Sequence, residues 1–181
     1  GVETLFKNSA NKVEQYARDS FKATQLSANQ YMETVTGFSA SMLQSLGGDT
    51  SKAAEMSNRA VIDMADNANK MGTNMQDIQN AYQGFAKQNY TMLDNLKLGY
   101  GGTQAEMKRL ISDASKMTKE QKDLNLTVKD GDMSFANITA AISVMQKHLG
   151  IAGTAAKEAK TTLSGSFNMM KASAQDFMAS L

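Results

Sequence analysis

The run FKNSANKVEQYARDSFKATQLSANQYMETVTGFSASMLQSL, from Phe6 to Leu46, decides the fold class. Phe6, Ala10, Val13, Ala17, Phe21, Thr24, Ala28, Tyr31, Val35, Phe38, Met42 and Leu46 follow one another at steps of three and four only. The mean step is about 3.6 residues, the period of an amphipathic helix, and Thr24 is the one polar position. A strict heptad needs 3.5, and the early 4-3-4 spacing is closer to an eleven-residue repeat, which relieves left-handed supercoiling. The stripe predicts one long N-terminal helix over 1–48. Gly37 is its weak point, where a kink or break is expected, and Gly47-Gly48 supplies a C-terminal cap.

Composition agrees with a helical chain. The 181 residues contain no Pro, no Cys and no Trp, where average usage would place about nine prolines. Proline breaks helices and punctuates loops, so its absence predicts long helices and short connections. Without Cys there are no disulfides, no thiolate catalysis and no Cys-ligated zinc, and a single His excludes any two-His metal motif. Lys and Arg number 19 against 18 Asp and Glu, which leaves no electrostatic footprint for nucleic acid. Hydrophobic residues at 41% suffice for a modest core. The richest apolar stretch, Ile138 to Met145, is interrupted by Thr139 and Ser143 and falls far short of a membrane span. The N-terminus lacks a basic-then-apolar signal pattern. The first residue is Gly1 rather than Met, so a piece of a longer protein is expected.

Further along, a second helix is expected from Asp49 or Thr50 to Met71, stopped by Gly72, with Val61, Met64, Ala65, Ala68 and Met71 on one face. Thr73 with Gln76 has capping-box spacing. The stripe that follows, Met75, Ile78, Tyr82, Phe85, Asn89, Met92 and Leu96, is heptad-like. Asn89 is either a polar register residue in a helical seam or the place where the helix breaks. Gly99-Tyr-Gly-Gly102 is a loop, and Thr103 with Glu106 caps the next helix, striped by Met107, Leu110, Ile111, Ala114 and Met117. Over 118–133 the alternation of Leu124, Leu126 and Val128 has a strand period, and Asp130-Gly131 is a turn signal, so a short extended segment or linker is expected. Ser134 caps a helix carrying Ile138, Ile142, Met145 and Leu149, stopped by Gly150 with Ile151 in apolar contact. Thr154 caps the last helix, striped by Ala159, Leu163, Phe167, Met170, Ala174, Phe177 and Leu181. The division is therefore a long helix (1–48), a helical core (49–117), a linker (118–133) and a C-terminal helical hairpin (134–181). The fold class is all-α, as a bundle or as helical hairpins.

Catalytic and ligand motifs are weak. The Gly99–Gly102 loop lacks the Lys-Ser/Thr of a phosphate-binding loop and the third glycine of a dinucleotide fingerprint, so it reads as a turn between helices. Gly37-Phe-Ser39-Ala-Ser41 falls one residue short of a nucleophile elbow and sits in a helical stripe. His148 lies in a last helical turn, where a cation suits the dipole, and a capping or surface role is expected. Glu120, Asp123, Asp130 and Asp132 do not have calcium-loop spacing. No catalytic, cofactor-binding or metal-binding residue is expected. The 14 methionines remain. They fit either a loosely packed core or helix faces that change partners.

One stretch is more specific. Ile62-Asp-Met-Ala-Asp-Asn-Ala-Asn-Lys-Met-Gly-Thr-Asn-Met-Gln-Asp-Ile-Gln-Asn-Ala-Tyr-Gln-Gly-Phe-Ala-Lys-Gln-Asn-Tyr-Thr-Met-Leu-Asp-Asn-Leu-Lys-Leu-Gly-Tyr-Gly-Gly-Thr103 resembles the tail tape measure proteins of long-tailed phages and prophages of Gram-positive bacteria. The likeness continues through Glu106-Met-Lys-Arg-Leu110 and returns at Gly150–Ala159 and Gly165–Ala172. The 118–133 stretch departs from that pattern. The resemblance implies a long helical structural protein of the virion, with coiled-coil character, that occupies the lumen of the tail tube and sets its length. It implies assembly in the host bacterial cytoplasm with tail assembly chaperones and release ahead of the DNA. It implies contact with other copies of itself (a homo-oligomer, with a trimer as one form), with the tail tube protein and with baseplate or distal tail proteins. Membrane contact at infection belongs to the full-length protein, and specific nucleic-acid binding is not implied. No enzymatic position carries over. Met64, Met71, Met75, Ile78, Tyr82, Phe85, Asn89, Tyr90, Leu96 and Tyr100 are the motif and interaction candidates. The competing readings are a helical adaptor or secreted helical-hairpin protein that docks partners through Met-rich faces, and a membrane-active amphipathic segment. Mixed charge on the polar faces argues against the last.

Overall fold

A computed structural model describes residues 1–161. The last-helix positions from Leu163 onward, and with them most of the second arm of the expected hairpin and the run Gly165–Ala172, lie outside the described residues. The protein is all-α, and among the described residues there is no strand.

In chain order the helices are α1 (Val2–Phe6), α2 (Ala10–Arg18), α3 (Ser20–Thr24), α4 (Ala28–Thr36), α5 (Ser39–Ser45), α6 (Thr50–Met71), α7 (Met75–Ala86), α8 (Gln104–Ser115), α9 (Thr118–Leu124) and α10 (Phe135–His148). Short 3-10 turns occupy Lys7–Ser9 and Leu93–Leu96, and helical backbone resumes over 154–161.

α6 is the axis of the fold. Asp49 caps its first turn, its carboxylate accepting from the Lys52 amide at 3.0 Å, and Gly72 ends it in the left-handed conformation. Both ends fall where the sequence places them. α1 to α5, α7 and α10 all pack against α6. Ala53, Ala54, Ala60 and Ala65 let these neighbours approach closely, and from Ala60 to Asn67 every residue except the partly covered Ile62 is buried. A helix buried on all sides is a core helix, not an amphipathic surface one. α10 is similar: it is buried from Phe135 to Gln146 and lies on α6 and α8. Its stop is the expected one, with Gly150 left-handed, the Ile151 amide donating to the Gln146 carbonyl at 2.9 Å, and Ile151 in the core.

The N-terminal segment differs from the single helix expected over 1–48: five short helices replace it. Much of the stripe is still buried, namely Phe6, Ala10, Val13, Ala17, Thr24, Tyr31, Val35, Phe38 and Met42. Phe21 and Ala28, however, face outward, with Phe21 41% exposed. Thr24 causes the main break. Its hydroxyl donates to the Ser20 carbonyl at 2.7 Å and accepts from the Leu26 amide at 3.1 Å, and Gln25 turns left-handed. These local bonds compete with helix continuation. Ser27 then restarts the chain with a full capping box to Gln30. The expected break at Gly37 occurs as the boundary between α4 and α5.

α7 is also shorter than its stripe. Asn74, not Thr73, is its cap, with the side-chain oxygen accepting from the Gln76 and Asp77 amides. The helix ends at Ala86, Gln88 turns left-handed, and the Asn89 amide closes back on the Gly84 carbonyl at 2.8 Å. Of the two readings of Asn89, the break is the one observed. The residue is exposed, and its side chain holds the amide and hydroxyl of Thr91.

No strand forms over 118–133. Residues 118–124 are α9, ended by left-handed Asn125. The alternating residues beyond it are held by two side-chain amides. Gln121 accepts from the Val128 amide at 3.0 Å. Asn137 accepts from the Lys129 amide at 2.9 Å and donates to the Lys129 carbonyl at 2.8 Å. One carboxamide thus offers Lys129 the donor and acceptor that a neighbouring strand would.

Candidate functional site

The most unusual chemistry lies inside the molecule, on the side of α6 that meets α10. Asp63, Asp66 and Asn67 are each 0% exposed, as is Gln146 of α10. Charged side chains are rarely buried unless paired, so their partners define the site.

Asn67 is fully used. Its amide nitrogen donates to the Leu96 carbonyl and to Gln146 Oε1, both at 2.8 Å, and its oxygen accepts from the Thr73 hydroxyl at 2.7 Å. Gln146 Nε2 donates to the Asp63 carbonyl at 3.0 Å. Two amides therefore join α6, α10, the 3-10 turn at 93–96 and the turn after Gly72.

Asp66 caps a helix that is not its own. Its two carboxylate oxygens accept from the Gly153 amide at 2.8 Å and the Ala155 amide at 2.9 Å, at the start of the 154–161 helix. Thr154, the cap expected from sequence, donates instead to the Ile151 and Asp66 carbonyls. Burial raises the Asp66 pKa, and the two amide donors hold the rise back.

Asp63 is less well served. Oδ1 accepts from Arg59 Nη2 at 3.2 Å, while Oδ2 has no partner. Burial pushes its pKa up to about 6, opposed by the Arg59 charge and by nearby Ser143. Around it, the hydroxyls of Tyr82 and Ser143 and the Arg59 Nε are also buried without partners. Burial and the Asp63 charge together push the Tyr82 phenol well above its usual range.

The motif candidates fall mostly in the core. Met64, Ile78, Tyr82, Phe85 and Leu96 are buried, Tyr90 and Tyr100 nearly so, and Met71 and Met75 pack partly buried against them. Asn89 alone is exposed. No methionine among the described residues is exposed; Met42, Met64 and Met107 are fully enclosed, and Met56 and Met145 are buried. At the surface, the glycine loop is tied down by its own helix. Glu106 accepts from the Gly101 amide at 3.0 Å, and Arg109 binds Glu106 and the Gly99 carbonyl while stacking 4.1 Å above the Tyr100 ring. The Tyr100 hydroxyl donates to Asp113 at 2.5 Å. An open groove of about 510 Å³ runs from this loop to Met145, His148 and Leu149. His148 has the surface position expected of it, with Nδ1 3.5 Å from Glu120. Among the described residues no three acids or histidines are grouped to hold a metal ion.

The sequence stripe for α6 overlooks Asp63, Asp66 and Asn67, because charged residues between apolar ones read as a solvated face. The available signal was the alanine spacing, which leaves α6 with no wholly polar face. Comparison with protein-family models, curated proteins and solved structures gives no match for this chain.

Proposed function

We propose that this chain is a segment of a phage tail tape measure protein, a structural component that sets tail length within the tail tube and leaves at DNA ejection. The observation that carries the reading is the likeness of Ile62–Thr103 to that family. Those residues form the second half of α6, all of α7, the 3-10 turn and the glycine loop, and they supply Met64, Ile78, Tyr82, Phe85 and Leu96 to the core. The second family-like run, 150–159, meets the first directly, since Asp66 caps it. The likeness therefore resides in residues that pack on one another, and what it carries is a folding unit rather than a docking motif. The near-balanced charge suits a chain that shares its tube with passing DNA. The partners in this reading are further copies of the chain, the tail tube protein, tail assembly chaperones and the baseplate or distal tail proteins. Its places are the tail lumen and, during assembly, the host cytoplasm.

The competing adaptor reading relied on Met-rich docking faces, and the described methionines are engaged with the core instead. The test is an in-frame removal of this segment from the gene that encodes it. Shorter tails are expected, and unchanged tails with normal particle yield would overturn the reading.

A further inference from the structure

Asp63 is a fully enclosed carboxylate with one oxygen on Arg59 and the other on nothing. A buried ionised group so poorly satisfied weakens the packing around it, and a proton on the free oxygen removes the charge and adds a donor. Ser143 of α10 lies beside the carboxylate, where its hydroxyl favours the ionised form by donating and is equally able to accept from the protonated one; neither its hydroxyl nor that of Tyr82 has another partner. Arg59, left without its anion, keeps 24% of its side chain in solvent. The other groups facing Asp63 do not provide a compensating charge. α6 contributes Asp66, which repels, and α7 contributes the neutral Tyr82. α10 contributes Ser143 and Gln146, and its only charged or titratable residues, Lys147 and His148, sit in its last turn.

We propose that the α6–α7–α10 seam is a proton-operated latch: Asp63 takes up a proton as the domain closes, and the closed domain is held more tightly when that carboxyl is neutral. The sign follows from linkage. The folded value, about 6, lies above the ordinary 3.8. The closed form is therefore favoured most below about pH 4 and loses that advantage as the pH rises through 6. Asp66, also raised, acts in the same direction. At neutral pH the latch is partly released, which eases any transition that must separate α6 from α10. The latch rests on the geometry of the seam and holds whether or not the chain is a tape measure segment.

The test is urea unfolding of the full chain from pH 4.5 to 7.5, with Asp63→Asn alongside. The unaltered chain should show a folding constant about 30-fold lower at pH 7.5 than at pH 4.5 from Asp63 alone. Asp63→Asn should lack that factor. An equal pH dependence in both would overturn the proposal. Carbon NMR titration of the Asp63 carboxyl in the unaltered chain needs no variant. A midpoint near 6, moving higher in Arg59→Gln, is expected, and a midpoint below 4.5 would overturn the latch.

Discussion

Replacing Asn67 with Ala removes the amide on which four segments converge. Two buried acceptors lose their donor: Gln146 Oε1 and the Leu96 carbonyl, each 2.8 Å from Asn67 Nδ2. The Thr73 hydroxyl also loses its acceptor but is only partly buried, so water replaces it. An orphaned buried acceptor costs roughly 1–3 kcal/mol, so the pair gives a loss of about 3 kcal/mol. For a domain of this size that is a fall of about 6–12 °C in Tm. Adding Gln146→Ala removes one of the orphans, so the double variant should be less unstable than the sum of the singles, by about 1 kcal/mol. Urea titration followed by far-ultraviolet circular dichroism measures all three variants. A loss under 1 kcal/mol for Asn67→Ala, or strict additivity with Gln146→Ala, would refute the claim that these amides form one network.

Other outcomes are expected elsewhere. Gly102→Ala places a Cβ 2.1 Å from the Thr91 carbonyl oxygen, backbone against backbone, so it should destabilise by about 2 kcal/mol or more in the same titration. Tyr82→Phe deletes a buried hydroxyl without a partner and should leave stability unchanged or raise it by about 1 kcal/mol at pH 7.5. The Arg109 guanidinium and the Gly101 amide hold the Glu106 carboxyl down at about 2. That contact supports the fold above about pH 4.5 and is lost as the pH falls toward 2. In Arg109→Ala, carbon NMR should find the Glu106 midpoint moved up toward the ordinary carboxylate range.

The parts of the fold legible in sequence are those whose ends are written in local chemistry. α6 between Asp49 and Gly72, α8 behind Thr103, and α10 between Ser134 and Gly150 all carry a side-chain cap or a left-handed glycine. Other helix ends use other residues. Lys7, Gln25 and Asn125 take positive φ at helix ends where a glycine would have announced the stop. The apolar period runs on across such breaks, because short helices wrapped around one core keep facing it. That is why 1–48 reads as continuous while being five helices. The strand-like alternation of Leu124, Leu126 and Val128 misleads for a related reason: the backbone it exposes is satisfied by Gln121 and Asn137, and pattern alone does not show which partner a backbone has. The buried seam was least legible. Asp63 and Asp66 are polar in sequence and interior in space, and only the packing of α10 and the 150–155 turn onto α6 reveals the difference.

The central claim is that this chain contributes length to a phage tail, and tail length in electron micrographs tests it most directly. The 181 residues would span about 270 Å as one continuous helix, whereas α6, the longest helix described, is about 33 Å long. Phages carrying the segment deleted, single or duplicated in frame should have tails that lengthen stepwise with copy number, by no more than about 270 Å per copy. Tails of one length in all three would contradict the account.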